Sequence, residues 1–153
     1  MTGWRVGWMI VPDDHVRRIE RLAQNMFICP SHASQRLALH AMDCTDELDT
    51  KVDVYRANRL AMIDALPKMG LGKFAPPDGA FYVYVDVSDY TNDGLRFCAD
   101  VLEKVGVAIT PGLDFDPVEG GHWVRLSYAR SSSDIEEGLT RLASFMAHLR
   151  ADN

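Results

Sequence analysis

The absences in this sequence narrow its function first. None of its 153 residues falls in an apolar run approaching the 18 or so that a membrane-spanning helix needs. Cysteine is scarce. Cys29, Cys44 and Cys98 form an odd, widely spaced set, which excludes a disulfide scaffold and points to reduced thiols in a cytoplasmic protein. Positive charge is not in excess: 16 Lys and Arg against 22 Asp and Glu leave a formal net charge of −6. Nucleic-acid binding usually shows a basic footprint, so no nucleic-acid partner is expected, although a small anion held by one or two arginines is compatible with this balance. There is no G-x-S-x-G elbow, no Walker loop and no H-E-x-x-H helix. The opening Met1-Thr2-Gly3-Trp4-Arg5 lacks the charged and apolar regions of a signal peptide.

What is present is globular chemistry. At 47% hydrophobic and 25% charged residues, a chain of one domain's length can bury a sizeable core. Strand-like and helix-like stretches alternate, which sets the class as α/β or α+β. Arg5–Val11 reads as a buried strand ending at Pro12. Asp13-Asp14 offers an N-cap to a helix carrying Val16, Ile19 and Leu22 at helical spacing. Pro30-Ser31 precedes a second helix through Met42, apolar enough to be buried on most sides. A helix of more than twenty residues starts at Thr45 and ends before Gly70 and Gly72, and a helix that long often connects two packed bodies. Ala80–Val87 is the clearest strand, and Asp93-Gly94 opens a further helix to Gly106. Val107–Thr110 and His122–Tyr128 read as strands, and Ser131–Ser133 caps a last helix. The start directly in a strand with no lead-in element suggests that upstream sequence is missing, because buried strands need neighbours on both edges.

Two weak motifs have plainer readings. Gly70-Leu71-Gly72-Lys73-Phe74-Ala75 matches a dinucleotide fingerprint literally, but it ends a helix where the fingerprint must open one, so it reads as a helix C-cap. Cys29, His32, His40 and Cys44 place four potential metal ligands within sixteen residues, at a spacing that matches no standard zinc site. No metal is expected. The acidic Asp46, Glu47 and Asp49 read as helix-terminal charge.

Two arginines stand apart. Arg125 lies in the apolar strand Trp123–Tyr128. Alternation puts it on one face with Trp123 and Ser127, opposite Val124, Leu126 and Tyr128. A guanidinium fork suits a carboxylate bidentately, but an ion pair or an exposed edge strand would explain it equally well. Arg5, between Gly3 and Gly7, is suited to an anion such as phosphate and equally to a structural role.

Taken together these segments resemble a known family. Met1–Trp8 (MTGWRVGW) is similar to the stretch that follows the Schiff-base lysine in class I/II aminotransferases, the fold-type I enzymes that use pyridoxal phosphate. Pro77-Asp78-Gly79-Ala80-Phe81-Tyr82 resembles the P-x-G-A-F-Y of that family's small domain. Gly106-Val107-Ala108, Pro111-Gly112-Leu113-Asp114-Phe115 and Val124-Arg125-Leu126-Ser127-Tyr128-Ala129 resemble its G-V-x-x-x-P-G-x-x-F and R-x-S-x-A blocks. The order and spacing agree over nearly the whole chain.

The resemblance implies an α/β fold, the C-terminal part of the fold-type I transferase fold with a small α+β sheet covered by helices. Residues 1–44 would be a remnant of the large cofactor-binding domain and 45–153 the small domain. It implies amino-group transfer between an amino acid and a 2-oxo acid, of aspartate or aromatic type, in a homodimer. Arg5 would contact the cofactor phosphate and Arg125 the substrate α-carboxylate. The Schiff-base lysine would lie before Met1, and Lys51, Lys68, Lys73 and Lys104 do not match it. The chain alone is therefore expected to be inactive, with no catalytic residue of its own, and its binding of pyridoxal phosphate is doubtful. Other fold-type I enzymes (C–S lyases, decarboxylases, cyclopropane-carboxylate synthases), a cofactor-binding transcription regulator and a non-catalytic binding or oligomerisation module remain as alternatives.

Overall fold

A computed structural model of the chain describes residues 2–151. It divides into two units, Met1–Asp49 and Thr50–Asn153.

The first unit has little interior. A single 3-10 turn (Thr2–Trp4) leads into irregular chain, followed by helices α1 (Asp13–Met26) and α2 (His32–Ala41). The strand expected over Arg5–Val11 is not formed. Arg5 takes φ +52°, a left-handed conformation incompatible with a β-ladder. Among the described residues, no strand pairs with this segment. The N-cap expected at Asp13-Asp14 is also displaced: Pro12 is the cap residue, and both aspartates sit in the first turn, where negative charge meets the positive end of the helix dipole. α1 buries no residue at all. The expectation of a mostly buried second helix is likewise corrected, because Ser34 is its one buried residue and Leu39 is 62% exposed. An apolar stripe becomes core only when another layer covers it, and this unit supplies no such layer.

The second unit is organised around a three-stranded antiparallel sheet. Its strands are β1 (Tyr82–Asp86), β2 (Thr110–Pro111) and β3 (Trp123–Ser127), in the order β1-β3-β2. β3 is therefore central, with Tyr84 opposite Arg125 on one side and Thr110 opposite Arg125 on the other. One face of the sheet is dry. Val83, Val85, Val124 and Leu126 are buried there with Met62 and Leu66 of α3 (Thr45–Lys68), Phe97 and Val101 of α4 (Gly94–Val105), and Leu142, Phe145 and Met146 of α5 (Ser132–Ala151). The strand expected over Val107–Thr110 forms later, at Thr110–Pro111. Proline is tolerated there because β2 is an edge strand.

Local signals place the helix ends. Asp93 Oδ1 accepts from Arg96 N at 2.9 Å to start α4, and Gly106 ends it at φ +68°. Ser131 Oγ accepts from Asp134 N at 3.2 Å to start α5. After α3, Gly70 takes φ +87° and Leu71 N donates back to Leu66 O at 2.9 Å. The G-x-G-x-x-A stretch is thus a helix C-cap with the 6→1 bond of a Schellman motif.

One buried polar side chain ties α3 to the end of β3. Asn58, 2% exposed, donates from Nδ2 to Tyr128 O at 3.1 Å and Arg130 O at 2.9 Å. Removing the donor leaves two carbonyls short of a partner. Asn58→Ala is expected to lower unfolding free energy by about 2 kcal/mol in urea titrations. A change within ~0.5 kcal/mol, the range of an ordinary surface substitution, would mean that Asn58 does not clamp this end of the strand.

Candidate active site

The second face of the sheet carries polar and aromatic side chains. Because side chains alternate along a strand, Tyr82, Tyr84 and Asp86 of β1 share a face with Trp123 and Arg125 of β3. Tyr84 stacks on Trp123, with ring centroids 4.9 Å apart and 7° between planes, and meets the Phe115 ring edge-on at 6.4 Å. Two short 3-10 turns, Gly112–Asp114 and Gly120–His122, close in beside these rings. Their backbones approach so closely that a Cβ on Gly112 would stand 2.6 Å from Gly120 O, 2.6 Å from Tyr84 Oη and 2.7 Å from Trp123 Cβ. Glycine at 112 is thus a packing requirement, since a methyl group has no room there.

Arg125 sits half-buried at the middle of this face. Its Cζ lies 4.1 Å from the Tyr82 ring centroid and 4.3 Å from that of Phe115. Nη2 donates to Thr110 Oγ1 at 3.5 Å, the outer limit for such a bond. Two of the three explanations left open by the sequence are now excluded. β3 is the central strand, so Arg125 is not on an edge. Among the described residues, no carboxylate lies within ion-pair distance of it (by contrast Arg59, Arg96 and Arg130 all have acidic partners). A guanidinium has five N–H donors, so the fork retains capacity for a planar anion.

Tyr84 is the second unusual group. Its hydroxyl is buried without a hydrogen-bond partner among the described residues. Burial, with the nearby Asp116 carboxylate acting in the same direction, raises its pKa above the usual tyrosine value. The hydroxyl therefore stays protonated at neutral pH. Asp116 is held below the usual carboxylate range by the backbone N–H groups of Glu119 and Val118, which donate to its Oδ1 at 3.0 and 2.9 Å.

Arg5 belongs to the first unit, where it follows the 3-10 turn, exposed and left-handed. A non-glycine residue at positive φ is uncommon. The lysines are committed elsewhere or distant in sequence from either arginine. Lys68 pairs with Asp64 and Lys73 with Asp89, each at 2.5 Å; Lys104 lies 5.8 Å from the Phe145 ring centroid; Lys51 is exposed on α3. Among the described residues, no three His, Cys, Asp or Glu converge as a metal site would need. Sequence reasoning singled out Arg125 but not Tyr84, Trp123 or Thr110. The available signal was the alternation in Tyr82-Val83-Tyr84-Val85, which places two aromatics on the face opposite the core.

A family model for class I and II aminotransferases matches residues 1–142. The chain belongs to that family, and its α/β architecture is that of the C-terminal portion of the fold-type I enzymes. The valine–pyruvate aminotransferase of Mycobacterium tuberculosis is 47% identical over 148 residues, which make up 95% of this chain and 38% of that protein. An aspartate aminotransferase of Sulfolobus acidocaldarius is 29% identical over 157 residues, 97% of this chain and 38% of that protein. A crystal structure from Silicibacter pomeroyi superposes with a TM-score of 0.86 at 63% identity, covering 97% of this chain and 40% of that one. The chain thus spans about two fifths of the length of these relatives.

Two outcomes test the packing of the site. Gly112→Ala is expected to cost roughly 1–3 kcal/mol of stability, as overpacking does, and to weaken the near-ultraviolet circular dichroism of the Tyr84–Trp123 stack; an unchanged spectrum would mean the turn has room to spare. Cys98 is buried, and burial pushes its thiol up to about 11, while Cys29 and Cys44 are exposed. At pH 8, a disulfide reagent should titrate two thiols in the folded chain and the third only after unfolding. Three equally fast thiols would mean that α4 does not protect Cys98.

Proposed function

We propose that this chain is the substrate-carboxylate half of an aminotransferase active site, in an enzyme that moves an amino group between an amino acid and a 2-oxo acid. The observation that carries this is Arg125, a half-buried cation on a central strand with no acidic partner among the described residues, in a member of the class I and II family. A planar fork with free donors matches a carboxylate in two parallel hydrogen bonds. Arg125 would hold the α-carboxylate of the amino acid and so fix its orientation. Arg5 would meet the phosphate of the cofactor, pyridoxal phosphate, which supplies the electron sink when bound.

This chain's own residues do not complete a site for that cofactor. A covalent anchor needs a lysine at the family's Schiff-base position, and none of Lys51, Lys68, Lys73 and Lys104 stands at a position that resembles it. We therefore read residues 1–44 as a remnant of the large domain and 45–153 as the small domain. The exposed Trp8, Met9, Ile10, Phe27 and Ile28 of the first unit support that assignment, because such surface is normally covered. The longer enzyme would be a cytoplasmic homodimer, and the 153-residue chain alone would not turn over.

On substrate type, the family resemblance points to an aspartate- or aromatic-type enzyme. An apolar side chain is favoured over an aspartate-type one by one observation: the valine–pyruvate enzyme is more similar to this chain than the aspartate enzyme described above, at 47% against 29% identity.

A chimera tests the reading. This chain would replace the matching C-terminal segment of the M. tuberculosis valine–pyruvate enzyme, and steady-state kinetics would be measured with valine and pyruvate. The chimera is expected to transaminate, and the isolated chain is not. Arg125→Ala in the chimera should lower kcat/KM for valine roughly a hundredfold, the loss of about 3 kcal/mol from charge-assisted hydrogen bonds. A chimera that works equally well with Arg125→Ala would remove the carboxylate role.

A further inference from the structure

We infer that Tyr82 and Phe115 are positioning residues that hold the Arg125 guanidinium in its carboxylate-binding orientation; the inference rests on the carboxylate role proposed for Arg125. An arginine side chain has several freely rotating bonds and carries about 2 kcal/mol of rotamer entropy. Binding a carboxylate bidentately fixes that fork, so a fork already held in place binds at lower entropic cost. Salt bridges and buried hydrogen bonds usually supply such anchoring. Here the only hydrogen bond among the described residues is the 3.5 Å contact to Thr110 Oγ1, which is weak. The two ring contacts, at 4.1 and 4.3 Å from Cζ, are the close ones.

Rings suit this task for a chemical reason. A carboxylate partner would hold the guanidinium but occupy the donors that the substrate needs. A π-face attracts the cation through its quadrupole and leaves the in-plane N–H groups free. The two rings also come from different elements. Tyr82 begins β1, and Phe115 directly follows the 3-10 turn Gly112–Asp114. Phe115 is tied to that turn by its backbone, since Phe115 N donates to Gly112 O at 2.9 Å, and the turn itself packs where a Cβ on Gly112 would stand 2.6 Å from Gly120 O. The P-G-x-x-F spacing thus delivers a ring to Arg125 across a turn that only glycine can close. Phe115 is 50% exposed, so its contribution to the core is small, and its ring meets Arg125 on the polar face together with the edge-on contact to Tyr84.

The test uses the full 153-residue chain, with isovalerate as a monocarboxylate probe and isovaleramide as its uncharged counterpart. The readout is the side-chain Nε–H resonance of Arg125 in nitrogen-15 spectra, assigned by its loss in Arg125→Lys. In the native chain, isovalerate should shift this resonance saturably and isovaleramide should not. Phe115→Leu and Tyr82→Leu should each raise the isovalerate Kd about fivefold, as the loss of one cation–π contact predicts. Phe115→Tyr and Tyr82→Phe should restore the native Kd, which a general loss of packing would not explain. Backbone amide spectra of each variant report folding directly, and the exposed Phe115 gives a variant that folds whatever Tyr82→Leu does. Native-like affinity in both leucine variants would overturn the positioning role while leaving the carboxylate role intact. No shift in the native chain would overturn the carboxylate role and this inference with it. A Kd in Tyr82→Phe as weak as in Tyr82→Leu would assign the effect to the hydroxyl and overturn the role of the Tyr82 ring.

Discussion

β3 is paired on both edges, with β1 along its whole length and with β2 at Thr110–Pro111. That double pairing is what the site depends on. A central strand cannot turn its side chains over without breaking two ladders, and a one-residue slip would send Val124 and Leu126 to the polar face. The valine and leucine positions are buried against three helices, so the register is held by the hydrophobic effect on one face. Arg125, on the other face, inherits that precision at no further cost. The backbone position of Arg125 is set by residues that never touch its guanidinium.

The polar face is built by a different device. Gly112 and Gly120 bring two backbone turns to within contact of each other. Those turns seat Phe115 beside Arg125 and close over the Tyr84–Trp123 stack. The guanidinium is consequently surrounded by rings instead of carboxylates, which leaves its hydrogen-bonding edge uncommitted. The same surroundings leave the Tyr84 hydroxyl buried without an acceptor among the described residues, a cost that folded proteins rarely accept away from functional sites.

The two units differ in how well they justify themselves. Thr50–Asn153 has a dry core and satisfied helix ends. Met1–Asp49 has amphipathic helices whose apolar faces are exposed. The chain covers about two fifths of its relatives' length, and apolar faces as exposed as those of the first unit are normally covered.

Much of this was legible from residues alone. The β-rich runs Ala80–Val87 and His122–Tyr128 identified both long strands, and alternation over Trp123–Tyr128 identified the face that Arg125 takes, because the period of two is a local property of extended chain. Caps at Asp93 and Ser131 and stops at Gly70 and Gly106 were equally local, since each depends on one side chain or one positive φ. Burial was not legible. The stretch at Arg5–Val11 and the helix after Pro30 look like core elements, but an apolar pattern records only the capacity to be buried, not the presence of a layer that covers it. The character of the site was also beyond sequence. Arg125 could have been an ion pair, an edge residue or a ligand site, and only the strand order and the lack of an acidic partner among the described residues remove the first two. Local chemistry determined which elements form and which way their side chains alternate. Long-range pairing decided what those side chains meet, because contacts between distant residues depend on the whole ladder and not on any segment of it.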